Sequence, residues 1–263
     1  MSTIKNVLSI AGSDPSGGAG IQADLKTFCA NGVYGMAAIT SLTAQNTQGV
    51  SAFVAVPPEF VKDQISAIFE DIEVSAVKIG MLANADIIEV LADSLEQYTP
   101  PNIVFDPVMV ATSGDSLISG DAIKVMKERL IPLCDVLTPN IPETEKLSRK
   151  AVLDMEVAAQ GLLGLGAKAV FLKGGHLKGD IVLDVLAYDK GVKAYELPRV
   201  NTQNTHGTGC TLSSSIAANL AKGDGLEDAC FKAKEYLTNA LKHADDLAVG
   251  NGHGSVYHMW KSK

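Results

Sequence analysis

Short apolar runs rich in strand-forming residues occur at 7–11, 36–42, 76–79, 102–105, 136–138 and 169–173. Between them, apolar positions recur at helical spacing over 21–31, 58–70, 85–98, 121–130 and 155–165. Such alternation predicts parallel strands joined by right-handed crossovers, hence an α/β fold: a three-layer αβα sandwich around a mostly parallel sheet. Residues 181–188 and 192–197 flank Asp189-Lys190-Gly191 and read as a β-hairpin. The last third is helical, over 210–222 and 226–248. No linker, repeat or low-complexity tract divides the chain, so a single domain over residues 1–263 is expected.

In open α/β sheets, ligands collect beyond the carboxyl ends of the strands. The residues that follow each predicted strand should therefore converge on one crevice. They are Gly12-Ser13-Asp14, Thr43-Ala44-Gln45, Gly80-Met81, Asp106-Pro107-Val108, Pro139-Asn140 and Gly174-Gly175-His176.

Composition narrows the classes. Hydrophobic residues at 46% and charged residues at 20% exclude global disorder, and a net charge of −8 argues against a broad nucleic-acid footprint. An anionic ligand would need a local positive field, which makes helix ends and single lysines informative. The cysteines at 29, 134, 210 and 230 form no CxxC pair, and the five histidines form no HExxH pair. No signal peptide and no membrane-length apolar run is expected, so the chain reads as cytoplasmic with free thiols.

The densest chemistry lies in Asn204-Thr205-His206-Gly207-Thr208-Gly209-Cys210-Thr211, which runs into a helix. Glycines admit close backbone approach, and the first amides of a helix favour an anion. Cys210 would sit at that positive end, where a thiol ionises more readily. The segment is either an anion cradle beside an activated thiol or a plain strand-to-helix turn. His206 is open between a nucleotide contact and a turn-fixing residue.

Gly18-Ala19-Gly20-Ile21-Gln22-Ala23 matches G-x-G-x-x-A, yet the preceding turn is too long and no acidic residue ends the second strand, which excludes a dinucleotide fold. The loop can instead wrap a small ligand. Asp24 is then a ligand contact or a favourable charge in the first helical turn. No GxxxxGK[ST] occurs, and the stretch from Gly161 to Lys168 lacks its ending. Asn140-Ile141-Pro142-Glu143 is either part of a hydrated magnesium site or a capping arrangement; Asp106 adds a second carboxylate on the same edge. Lys173 ends a strand where it would neutralise a phosphate, or stand as a solvated charge. Gln45 lies in a predicted loop and could read a heterocycle through its amide. Met81 and Val108 are pocket walls or core, and Gly252-His253-Gly254 is a mobile or docking tail.

Taken together these blocks resemble the ribokinase-like superfamily, and closely the hydroxymethylpyrimidine/phosphomethylpyrimidine kinases of thiamine biosynthesis. The resemblance spans nearly the whole chain. It implies transfer of the ATP γ-phosphoryl group to the hydroxymethyl of an aminopyrimidine, then a second transfer giving the diphosphate. It places Gln45, Gly12, Ala19, Asp24, Met81 and Val108 around the pyrimidine, and Asn140, Glu143 and Lys173 on the ATP–Mg²⁺ side with His206. Glu143 and Asp106 would serve the metal. Gly207, Thr208, Gly209 and Cys210 would form the anion hole, with Cys210 facing the reacting hydroxyl where most sugar kinases carry Asp. The rivals are a pyridoxine or pyridoxal kinase and a non-catalytic pyrimidine sensor. The partners expected are small molecules, without nucleic acid or membrane, and the assembly expected is a homodimer.

Overall fold

A computed structural model describes residues 4–109 and 119–262. The chain runs β1 (Asn6–Ala11), α1 (Gly20–Ala30), β2 (Tyr34–Ile39), β3 (Ser41–Asn46), β4 (Gly49–Ala55) and α2 (Pro58–Phe69). It continues through β5 (Ala76–Ile79), α3 (Ala85–Tyr98), β6 (Ile103–Phe105), α4 (Gly120–Val125), β7 (Val136–Leu137) and α5 (Ile141–Ser148). Last come α6 (Met155–Leu163), β8 (Ala169–Leu172), β9 (Ile181–Tyr188), β10 (Gly191–Pro198), α7 (Thr208–Ala221) and α8 (Leu226–Lys242). Among the described residues, eight strands form one sheet in the order β10-β9-β8-β7-β6-β5-β1-β2. From β8 to β2 every neighbouring pair is parallel, whereas β9 and β10 run antiparallel as the expected hairpin.

Strand residues alternate between faces, so each strand feeds two cores. Leu8, Ile10, Val170 and Leu172 join the cluster beneath α2, α3 and α6. Val7, Ala169 and Phe171 join the opposite cluster with Phe28 of α1, Leu212 and Ile216 of α7, and Cys230 of α8. These are the three expected layers. Burial on both faces also explains why the strands read as near-continuous apolar runs.

The structure departs from the sequence pattern in three places. The apolar run 36–42 is not one strand. Thr40 donates from its amide to Ala11 and from Oγ1 to the Met81 carbonyl, and the chain leaves the sheet there. Ser41 then opens β3, which pairs antiparallel with β4 in a separate two-stranded flap. Gln45 therefore sits in a strand rather than a loop, beside a bulge at Ala44/Gln45.

The helix expected over 121–130 becomes α4, a π-turn Met126–Leu130 and a 3₁₀ turn Ile131–Leu133. Pro132 has no amide to give the Glu128 carbonyl, so a regular helix cannot continue. The last long helix stops at Lys242. Beyond it, Asp245 accepts from Thr202 and Asn204, and the chain turns back toward the carboxyl edge of the sheet.

Candidate active site

The loop between β1 and α1 is folded around one carboxylate. Buried Asp14 accepts from the amides of Ser16, Gly18 and Ala19 and from the Ser16 hydroxyl, and its Oδ2 lies 2.7 Å from His206 Nε2. Burial opposes the charge, but the bonds from His206, Ser16 and Ala19 outweigh it and hold Asp14 below the usual carboxylate range. The loop is thereby pressed against residues 206–207. Gly207, at φ 79°, caps α7, and a Cβ there would stand 1.8 Å from the Gly18 carbonyl oxygen. Only glycine fits.

The first turn of α7 carries Thr208, Gly209 and Cys210, where helix geometry leaves amides without intrahelical carbonyls. A Cβ on Gly209 would lie 3.1 Å from Asp106 Oδ2 and 3.3 Å from Lys173 Nζ, so this turn opens directly onto those charges. Lys173 Nζ is 2.5 Å from Asp106 Oδ1 and 4.0 Å from Glu143 Oε2. An isolated parallel bridge between Asn140 and Lys173 aligns the two strand ends. Asn140 Oδ1 accepts from the Glu143 amide and Glu143 Oε2 accepts from the Asn140 amide, each at 2.8 Å, so the capping box is real. Glu143 also lines the cavity. Burial and then the Asp106 charge push its carboxyl up to about 7, against the pull of Lys173. Burial works against the Lys173 ammonium too, yet Asp106 and Glu143 keep it protonated above its ordinary value.

One cavity of about 610 Å³ joins these groups to Gly12, Ala19, Gln45, Met81, Val108 and Cys210. Gln45 Nε2 lies 3.4 Å from His206 Nε2 at the flap end. At the other end the wall becomes apolar, with Val200, Leu237 and Leu241. Burial pushes the Cys210 thiol up to about 11, although Lys78 and the Gly20 amide pull it down. Among the described residues, no three His, Cys, Asp or Glu side chains cluster in a manner able to hold a metal by themselves.

A family model described as phosphomethylpyrimidine kinase matches residues 14–257. The chain belongs to the phosphomethylpyrimidine kinase family. It is a phosphotransferase of ribokinase-like fold. It is 46% identical to the hydroxymethylpyrimidine/phosphomethylpyrimidine kinase of Escherichia coli strain K12 over 97% of either chain. It is 49% identical to a thiamine biosynthesis bifunctional protein of Geobacter sulfurreducens, matching 97% of this chain but only 52% of that longer protein. Among solved structures, phosphomethylpyrimidine kinase from Clostridium difficile 630 superposes with a TM-score of 0.81 at 44% identity, covering 90% of this chain and 100% of the other. An ADP complex of Bacillus subtilis pyridoxal kinase superposes at 0.89 with 37% identity, covering 97% and 98%.

Within this kinase frame, most residues singled out from the sequence line the one cavity. Three change meaning. Asp24 is wholly buried away from the lining: both its oxygens lie 2.9 Å from Lys78 Nζ, and it accepts from Ser9 and Ser214. It is also the fifth residue of α1, past the first turn, because the helix starts at Gly20. His206 stands with Asp14 and Gln45 at the flap end, apart from the Asn140–Lys173 end where a nucleotide contact was expected. Cys210 is not a readily ionised thiol, since loss of water outweighs the nearby positive charge. Two residues hold roles that the sequence did not assign to them. Lys78 interrupts the apolar strand Ala76-Val77-Lys78-Ile79, an oddity visible in the sequence. Asp14 stood among the strand-end residues but had no visible partner there.

Proposed function

We propose that the protein transfers the γ-phosphoryl group of ATP to hydroxymethylpyrimidine and then to its monophosphate, in thiamine biosynthesis. The observation that carries this reading is the continuity of one cavity from the Gln45 flap, past the Gly209–Cys210 turn, to Lys173 and Glu143. A heterocycle at Gln45 and a triphosphate at Lys173 would meet at the α7 amides. In the transfer, the bond from the γ-phosphorus to the β-phosphate oxygen breaks and a bond to the substrate oxygen forms, with ADP leaving. The transition state is loose, so positioning and charge stabilisation dominate. The amides of Gly209 and Cys210 would receive the charge on the γ-phosphoryl oxygens, helped by Lys173. The Cys210 thiol, protonated near neutral pH, would orient the attacking hydroxyl, whose proton would pass late in the transfer to an oxygen of the transferred phosphoryl group.

Mg²⁺ fits the residues present. Asp106 and Glu143 offer two hard oxygen donors beside the turn, and Mg²⁺ commonly takes one or two carboxylates together with waters and phosphates. It would neutralise phosphate charge there. The Glu143 carboxyl is raised first by burial and then by Asp106, and a cation there would offset both.

The test is ATP consumption with the pyrimidine alcohol, its monophosphate and pyridoxal, measured side by side. Higher kcat/KM on pyridoxal would replace this assignment with the vitamin B6 one, and pyrimidine binding without ATP consumption would favour a sensor.

A single domain over residues 1–263 is part of the proposal, as are a cytoplasmic setting and a homodimer. All four cysteines are free, which suits a reducing compartment, and no helix among the described residues is long and apolar enough to cross a membrane. On the flap, Leu42 and Val54 face each other across the ladder at 53% and 69% exposure, an apolar patch suited to a second copy of the chain.

A further inference from the structure

Residues 250–258 follow the last helix and make contact with both halves of the site. At the flap, the Gly252 amide donates to Thr47 Oγ1 at 3.1 Å and the His253 amide donates to the Thr47 carbonyl at 2.9 Å. The approach is close: a Cβ on Gly252 would stand 2.1 Å from that carbonyl oxygen. Thr47 is in the turn between β3 and β4, two residues beyond Gln45. At the anion turn, the His206 amide donates to the Gly254 carbonyl at 3.0 Å, and His206 and Ser255 form a parallel bridge.

The chain then buries His258, whose Nε2 is 3.0 Å from Thr211 Oγ1. That hydroxyl donates its only proton to the Gly207 carbonyl at 2.8 Å, so His258 must be the donor in their contact. Burial lowers His258 to about 3, which keeps it a neutral donor at working pH. Tyr236 OH donates to the His258 carbonyl and the Tyr257 amide to the Ala240 carbonyl, which anchors the segment on α8.

We infer that residues 250–258 form a positioning strap for the transfer. Gly252 and His253 hold the flap turn and thereby Gln45; His258, through Thr211, holds the Gly207 carbonyl and thereby the amides of Gly209 and Cys210. A two-stranded hairpin is marginal alone and needs an anchor outside its own ladder. The Gly207 cap is a left-handed residue whose carbonyl accepts both the Thr211 amide and the Thr211 hydroxyl, so the side chain that His258 holds is a second anchor on it. The inference rests on the kinase reading for its kinetic signatures, and it predicts that the two ends of the strap differ in them.

The experiment compares Gly252→Val, His258→Leu and His258→Gln in the full chain, with steady-state kinetics, calorimetric binding of the pyrimidine without ATP, and thermal melting. His258→Leu should lower kcat about ten-fold or more with pyrimidine KM changed less than about two-fold, since small misplacements of transition-state donors act on turnover. His258→Gln, which can return the donor to Thr211, should restore most of it. Gly252→Val should raise the pyrimidine KM and calorimetric Kd about ten-fold with little change in kcat. If His258→Leu does not fold, Thr211→Val and Thr211→Ser repeat the comparison, with only the serine active. Variants that lose activity solely in proportion to lost stability, or a His258→Leu enzyme with unchanged kcat, overturn the strap. A wild type that binds pyrimidine but consumes no ATP would sink the kinase reading alone, and the calorimetric arm would still judge the flap contact.

Discussion

His206 Nε2 and Asp14 Oδ2 lie 2.7 Å apart although 192 residues separate them in sequence. The same carboxylate oxygen accepts the amides of Gly18 and Ala19. One oxygen thus sets the glycine-rich loop and ties it to the residue that precedes the α7 cap, so the walls at Ala19 and Gly207 take shape together.

Asp14→Asn would turn one acceptor toward the cluster as a donor. It should cost roughly 1–3 kcal/mol of stability and raise the pyrimidine KM. The pH dependence has a definite sign. The native carboxyl lies below the usual aspartate value of 3.8, so its contribution is complete above that value and is lost as pH falls through the native one. Thermal melting should show the gap between wild type and Asp14→Asn closing in acid. A gap that stays constant down to low pH would remove Asp14 from this role.

Cys210 is the second test. With its thiol at about 11, alkylation by iodoacetamide at that position should be slow near neutrality and rise steeply in alkali. Exposed Cys29 would obscure the result, so a Cys29→Ser background is used. Cys210→Ala should lower kcat roughly ten- to a hundred-fold with pyrimidine affinity nearly unchanged, and Cys210→Ser should retain more turnover. Rapid alkylation at Cys210 near neutral pH would show that the helix field outweighs burial.

The sheet was legible because β1, β5, β6 and β8 are buried on both faces, which leaves apolar runs broken only at Ser9 and Lys78. The convergence of Asp106, Asn140 and Lys173 followed from strand ends alone. The flap was not legible. Thr43 to Asn46 are largely polar, and Val54 is 69% exposed, so β3 and β4 cover a site instead of filling a core and carry no strong periodicity. Nor does spacing show that Asp14 meets His206, or that Asp24 turns away from the cavity toward Lys78. Burial also reversed the expectation for Cys210, and burial is a property of the folded site that a glycine pattern does not express.

Glu143 gives the third prediction. Its carboxyl is raised to about 7, first by burial and then by Asp106, so below that pH it is increasingly protonated and a poor metal donor. In the kinase reading, the apparent affinity for Mg²⁺ in an ATP-dependent assay should weaken as pH drops from 8 to 6. Glu143→Gln should flatten this dependence while weakening Mg²⁺ binding throughout. An equally steep profile in the variant would assign the titration to another group.

The last prediction separates support from ligand contact at Asp24. Asp24 and Lys78 are each wholly buried and paired at 2.9 Å, and Ser214, one helical turn beyond Cys210, donates to the same carboxylate. Removing one partner leaves a buried charge without its counterion, at a cost of roughly 3–5 kcal/mol. For a chain of this size that lowers Tm by roughly 6–20 °C. Asp24→Asn and Lys78→Met should each show this loss. The double variant Asp24→Leu/Lys78→Met, which leaves neither charge exposed to an apolar interior, should recover a large part of it. If Asp24 only supports α7, recovery of stability brings the pyrimidine KM back with it. A double variant that is stable yet still binds the pyrimidine poorly would instead make Asp24 a ligand contact.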